Sequence, residues 1–218
     1  MKRITVLKIP VFAAALIPAA ALVCGIYKLY YGLDLNALTA NPGDYITDQT
    51  GNWTIAFLMI SLTVTPIRRL TKWNEIVKLR RMLGLFAFFY GCLHLALWLF
   101  LDPKQNTISA IWEDIMKRRY ITIGMLAFLA MLPLAITSTA GWVRRLGFKR
   151  WKNLHKLIYL TAIAAVIHYW WLVKSDIRLP LMYAAIVAVL LGYRVIAWMR
   201  NRKRKPGVSA PQPTVSAG

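Results

Sequence analysis

Six apolar stretches separated by short charged connections make up most of this chain, at about 9–29, 51–67, 82–101, 120–136, 154–173 and 179–199. Each approaches the ~20 residues that carry a helix across about 30 Å of hydrocarbon, the second falling somewhat short. The pattern predicts an all-α integral membrane protein, a six-helix bundle over 1–200, followed by a basic and then disordered tail at 201–218. The first stretch follows Lys2, Arg3 and Lys8 and superficially looks like a secretion signal. It is longer than a signal core and five more stretches follow, so it reads as the first span. Between the spans, Asn41-Pro42-Gly43-Asp44 signals a turn in a loop over 32–50. In 104–119, Ile111, Trp112, Ile115 and Met116 are spaced like a short amphipathic helix at the membrane surface, an anchor or a docking face. No internal repeat and no glycine-rich nucleotide fingerprint is present, so electrons, if handled, must come from another protein or a diffusible carrier.

Composition agrees: 58% of the 218 residues are hydrophobic and the mean hydropathy is +0.49, more apolar surface than one soluble domain buries. The net charge of +20 would suggest nucleic acid in a soluble protein, but here the charges are sorted by loop. Twenty of the 28 Lys and Arg fall before the first span or within 68–81, 144–156 and 200–205. Seven of the eight acids, Asp34, Asp44, Asp48, Asp102, Glu113, Asp114 and Asp176, fall in the other loops. The positive-inside rule places both termini in the cytoplasm, and membrane lipids rather than nucleic acid explain the basic balance. Cys24 and Cys92 read as small buried apolar side chains; Cys92 stands in Gly-Cys-Leu-His, which lacks the spacing for covalent haem attachment.

Of the three histidines, His94 and His168 lie inside spans. Each sits 13 or 14 residues from the basic end of its span, about 20 Å along a helix, so their depths match. A buried imidazole in lipid needs a partner, and an iron porphyrin ligated on both faces is one that fits between two helices. Bis-imidazole ligation leaves no open position and favours one-electron transfer. Gly84 and Gly91 would let a porphyrin approach the third span or serve helix packing, while Trp98 and Tyr169–Trp171 fit either the site or an interfacial aromatic belt.

His155 is 13 residues before His168. On one ideal helix the two side chains would point about 140° apart. It either ligates a second haem near the basic surface or is an interfacial residue. The third span offers only Arg80 and Arg81 opposite it; an arginine suits a haem propionate better than an axial position. Arg194 in the sixth span either snorkels or pairs with a propionate or flavin phosphate. The basic aromatic patch containing Arg144 and Arg145 is a further candidate for the flavin phosphate.

Several motifs carry a resemblance: Thr50-Gly51, LTVTP at 62–66, RRMLGL at 80–85, Leu93-His94, RYITIG at 119–124, LAITS at 134–138, LGFKRWKNLH at 146–155 and IHYWWLVK at 167–174. With the six-span plan, the chain resembles the haem-binding membrane subunits of bacterial protein-methionine-sulfoxide reductase systems, the MsrQ family of the ferric-reductase-like transmembrane superfamily. The resemblance implies b-type haem, with a second haem left open, and FMN. It implies His94 and His168 as the central metal ligands, His155 as the inner histidine, and Arg80 where wider relatives carry another histidine. It further implies transmembrane electron transfer from a cytoplasmic flavin reductase or quinone to a periplasmic molybdopterin catalytic subunit that repairs oxidised proteins. The chain would then have no catalytic site of its own for methionine sulfoxide. The rival readings are a ferric or quinone reductase-like cytochrome b and a non-redox small transporter or structural membrane protein.

Overall fold

A computed structural model describes residues 2–101 and 107–203. The tail from 204 onward, predicted to be disordered, lies outside the described residues. All regular structure within them is helical: α1 (Lys2–Tyr30), α2 (Pro42–Thr71), a 3-10 turn (Asn74–Ile76), α3 (Val77–Leu101), α4 (Ile108–Lys117), α5 (Arg119–Ile136), α6 (Ala140–Leu146), α7 (Phe148–Leu154), α8 (Leu157–Leu172) and α9 (Arg178–Lys203). Among the described residues five helices are long and apolar enough to cross a membrane: α1, α2, α3 with its preceding turn, α5 and α9. The fifth predicted span is α8, only 16 residues and so about 24 Å long.

Four expectations are corrected. The second span is not short, because α2 runs for 30 residues. The Asn41-Pro42-Gly43-Asp44 signal is a helix start rather than a loop turn. Asn41 Oδ1 accepts the Asp44 N–H at 3.4 Å, and Pro42 and Asp44 occupy the first turn, where a missing donor and a negative charge are both favourable. The helix stops at Lys72, which is left-handed at φ 57°. A third correction concerns His155 and His168, which do not share a helix. His155 caps the end of α7, and α8 begins at Leu157, so the 140° separation expected on one helix does not apply. The predicted basic connection at 138–153 is folded into α6 and α7, which meet at Gly147, whose φ of 72° favours glycine. The expected amphipathic helix is present as α4, opened by Thr107, whose hydroxyl accepts the Ala110 N–H.

The largest interface joins α2 to α3, and the next joins α5 to α8. Leu58 and Leu62 of α2 and Ala87 and Tyr90 of α3 are almost fully enclosed. Phe57 stacks on Tyr90 with centroids 5.4 Å apart and continues to Phe86 and Phe12. Tyr90 also ties α1 to α3: its hydroxyl accepts from the Ala19 N–H at 3.1 Å and donates to the Ala15 carbonyl at 2.8 Å. Those two main-chain groups are four residues apart, so the phenol stands inserted in the α1 ladder beside Pro18, where a proline ring already opens the helix. Cys24 was expected to be buried; it is exposed on α1, and Cys92 is partly buried.

Candidate haem cavity

Helices α2, α3, α5 and α8 line a partly open cavity of about 560 Å³, within the roughly 300–1,000 Å³ typical of pockets that bury small molecules. Its walls are mainly apolar, with Leu58, Phe128 and Met131 among them, and His94 and His168 both line it. The structure brings these two imidazoles together from α3 and α8 at a centroid separation of 6.2 Å and an interplanar angle of 81°.

Both rings are oriented by main-chain carbonyls. His94 Nδ1 lies 2.9 Å from the Thr47 carbonyl on α2, and His168 Nδ1 lies 2.6 Å from the Tyr120 carbonyl on α5. A carbonyl only accepts, so each Nδ1 carries the proton and donates it. In the neutral ring that leaves the lone pair on Nε2, the atom free to bind a metal. Both rings also lie against glycines. A Cβ on Gly51 would come within 3.0 Å of His94 Cε1, and one on Gly124 within 2.6 Å of His168 Nδ1. The chain therefore gives up a side chain on α2 and on α5 where each imidazole needs to lie.

This donor set suits an iron porphyrin. Two imidazoles fill two coordination positions, a tetrapyrrole supplies four more, and apolar walls accept the macrocycle. Among the described residues no group of three or more His, Cys, Asp and Glu converges as a site for a bare ion. Gly91 lines the cavity, where an added Cβ would meet Met131 Cε at 3.0 Å, whereas Gly84 faces Ser61 Oγ at 3.7 Å and serves α2–α3 packing. Trp98 and Tyr169 also line the cavity.

His155 lies elsewhere, toward the basic end. Its Nε2 is 3.1 Å from the Thr137 hydroxyl, and the Trp151 ring lies tilted against it with centroids 4.1 Å apart while donating its indole N–H to the Thr137 carbonyl. Partial burial, and then the charge of nearby Arg80, hold the His155 imidazole below its usual pKa. Arg80 is partly buried and Arg81 exposed. Arg194 donates to the Leu190 carbonyl at 2.7 Å and the Leu62 carbonyl at 2.5 Å, and its guanidinium lies over the Tyr159 ring at 5.4 Å. Arg69 and Arg80 lie near enough for their charges to act on it. Arg194 is thus held inside the bundle rather than simply snorkelling. Arg144 and Arg145 are exposed on α6, with Arg145 over Trp142 at 5.5 Å.

The residues that sequence reasoning missed are Thr47, Gly51, Tyr120 and Gly124. Both glycines stood inside motifs that carried the resemblance, and each precedes its histidine by 43 or 44 residues, a pairing that only the folded helices reveal.

A family described as "Ferric reductase like transmembrane component" matches residues 50–166, more than half of the chain. The protein-methionine-sulfoxide reductase heme-binding subunit MsrQ of Xanthomonas euvesicatoria pv. vesicatoria is 48% identical over 203 residues, covering 93% of this chain and 92% of that protein. Its counterpart from Herminiimonas arsenicoxydans is 45% identical over 204 residues, 92% of this chain and 90% of the relative. The one from Azospira oryzae is 44% identical over 220 residues, 98% and 90%. No solved structure matches. With that identity sustained along nearly the whole length, and with the family match covering α3, α5 and most of α2 and α8, the chain belongs to the MsrQ family of ferric-reductase-like membrane proteins.

Proposed function

We propose that this chain is the transmembrane electron-transfer subunit of a protein-methionine-sulfoxide reductase, binding b-type haem through His94 and His168. One observation carries the reading: two imidazoles on facing helices, each with Nδ1 committed to a main-chain carbonyl, present their Nε2 lone pairs to one apolar cavity. When bound, the haem iron supplies reversible one-electron chemistry. The chain orients the two ligands, makes room for their rings at Gly51 and Gly124 and for the macrocycle at Gly91, and surrounds it with the apolar Leu58, Phe128 and Met131.

The wider assignment rests on kinship with the MsrQ subunits. Electrons enter at the cytoplasmic end from a flavin reductase or quinone and leave toward a periplasmic molybdopterin catalytic subunit, which performs the sulfoxide chemistry. The chain spans the bacterial inner membrane with both termini in the cytoplasm. Residues 1–200 form one haem-binding bundle with α8 as a short sixth crossing, and residues 201–218 form the tail. FMN binds at the basic end, where Arg194, Arg80 and Arg81 and the Arg144/Arg145 pair offer charge to its phosphate. A second haem would use His155 with Arg80 toward its periphery, and it would have to displace Thr137 from His155 Nε2.

The test is a dithionite-reduced visible spectrum of the purified chain, with haem and FMN quantified per polypeptide. At least one low-spin haem per chain is expected; a colourless protein refutes the reading.

A further inference from the structure

Among the described residues, one buried side-chain nitrogen lacks a hydrogen-bond partner: the indole Nε1 of Trp98. A buried N–H without an acceptor is costly, and such an orphan requires an explanation. Trp98 lies on α3 four residues beyond His94, so the two share a helix face one turn apart, and both line the cavity. The turn separating them leads toward the acidic end of the bundle. Arg118, at the α4–α5 junction, lines the same cavity. Its guanidinium is held by Asp114 at 2.8 Å and by the Tyr120 hydroxyl at 3.1 Å, which places a fixed cation on that wall.

A haem is not apolar all round. Two of its edge substituents are carboxylates, and in a membrane cavity each needs donors or water. The acids that line this cavity, Asp44 and Asp48, both sit on α2 and would repel a third carboxylate on their own wall. The wall formed by α3 and the α4–α5 junction holds the unused donor and the Arg118 guanidinium, which shares its charge with Asp114. We propose that Trp98 Nε1–H donates to a haem propionate at the acidic end of the cavity, with the Arg118 guanidinium on the same wall. The indole thereby fixes the rotation of the macrocycle about the His94–His168 axis. This inference rests on the haem reading of the cavity, and Trp98 is a positioning residue because it holds the edge of the group rather than its iron.

The experiment compares wild type with Trp98→Phe, which keeps an aromatic ring but loses the donor together with part of the indole's bulk, so the axial-ligand bands serve as the control for repacking. Resonance Raman of the haem-loaded proteins reads the propionate bending band directly, and transfer of haem to excess apomyoglobin reads its retention. The expected results are a shifted propionate band and transfer about tenfold faster, equivalent to about 1.4 kcal/mol, with the axial-ligand bands unchanged. The midpoint potential should also fall, because the propionate keeps more negative charge and favours ferric iron. Arg118→Gln, which removes the cation, should shift the same band. A haem-loaded Trp98→Phe protein with wild-type propionate band, transfer rate and potential overturns this inference alone. A wild-type protein without haem overturns the proposed function as well.

Discussion

Gly124 of α5 lies so close to His168 of α8 that an added Cβ would stand 2.6 Å from Nδ1, the atom that bonds the Tyr120 carbonyl. Real Cβ atoms are not found at such distances, so the ring or the helix would have to move. Gly124→Ala is therefore expected to disturb haem ligation rather than the fold. Overpacking costs about 1–3 kcal/mol, a roughly 5- to 150-fold loss of haem affinity if it falls on the site. Gly51→Ala, at 3.0 Å from His94, should act in the same direction and more mildly, while Gly84→Ala should leave the spectrum intact. Haem titration of the three variants checks the order.

Tyr90 concerns the fold alone. Its hydroxyl completes the α1 ladder between Ala15 and Ala19 from inside the core. Tyr90→Phe keeps the stack on Phe57 and leaves those two main-chain groups without it. A loss of about 1–3 kcal/mol is expected, with faster hydrogen exchange confined to the middle of α1. Exchange unchanged at Ala19 would mean that the inserted phenol contributes nothing to α1.

At the basic end, His155→Ala is expected to spare the His94/His168 spectrum and slow reduction from that side in proteoliposomes. Thr137→Val, which removes the hydroxyl from His155 Nε2 without changing side-chain bulk, should alter the same rate. Equal reduction rates in all three proteins would leave His155 as a purely structural cap of α7.

FMN retention tests the arginines. Arg194→Gln, and separately Arg144→Ala with Arg145→Ala, are followed by FMN fluorescence after gel filtration. Loss of FMN in at least one, with the haem spectrum kept, is expected because these residues and Arg80 concentrate positive charge where a phosphate would dock. If FMN content is equal throughout, the flavin binds elsewhere and Arg194 serves to bridge α9 to the Leu62 carbonyl of α2.

Much of this was legible in the chain itself. The matched depth of His94 and His168 pointed to one site, and the two rings do meet. The spacing of Ile111, Trp112, Ile115 and Met116 foretold α4. The apolar runs located α1, α3, α5 and α9 to within a few residues at most ends. What escaped had physical causes. Asn-Pro-Gly-Asp serves equally as a turn and as a helix start, and only the Asn41–Asp44 cap distinguishes them. The break at His155 has no glycine or proline to mark it; there the ring lies against Trp151 of α7 and its Nε2 meets the Thr137 hydroxyl at the end of α5. The groups that orient the histidines are the carbonyls of Thr47 and Tyr120, and a main-chain carbonyl carries no signature in a sequence.

The central claim is that His94 and His168 ligate the same iron, and low-temperature electron paramagnetic resonance of oxidised His94→Ala and His168→Ala proteins tests it most directly. Each substitution removes one of two axial nitrogens, so both variants should lose the same low-spin ferric signal and show either high-spin iron or no haem. Persistence of that low-spin signal at full intensity in either variant would contradict the account.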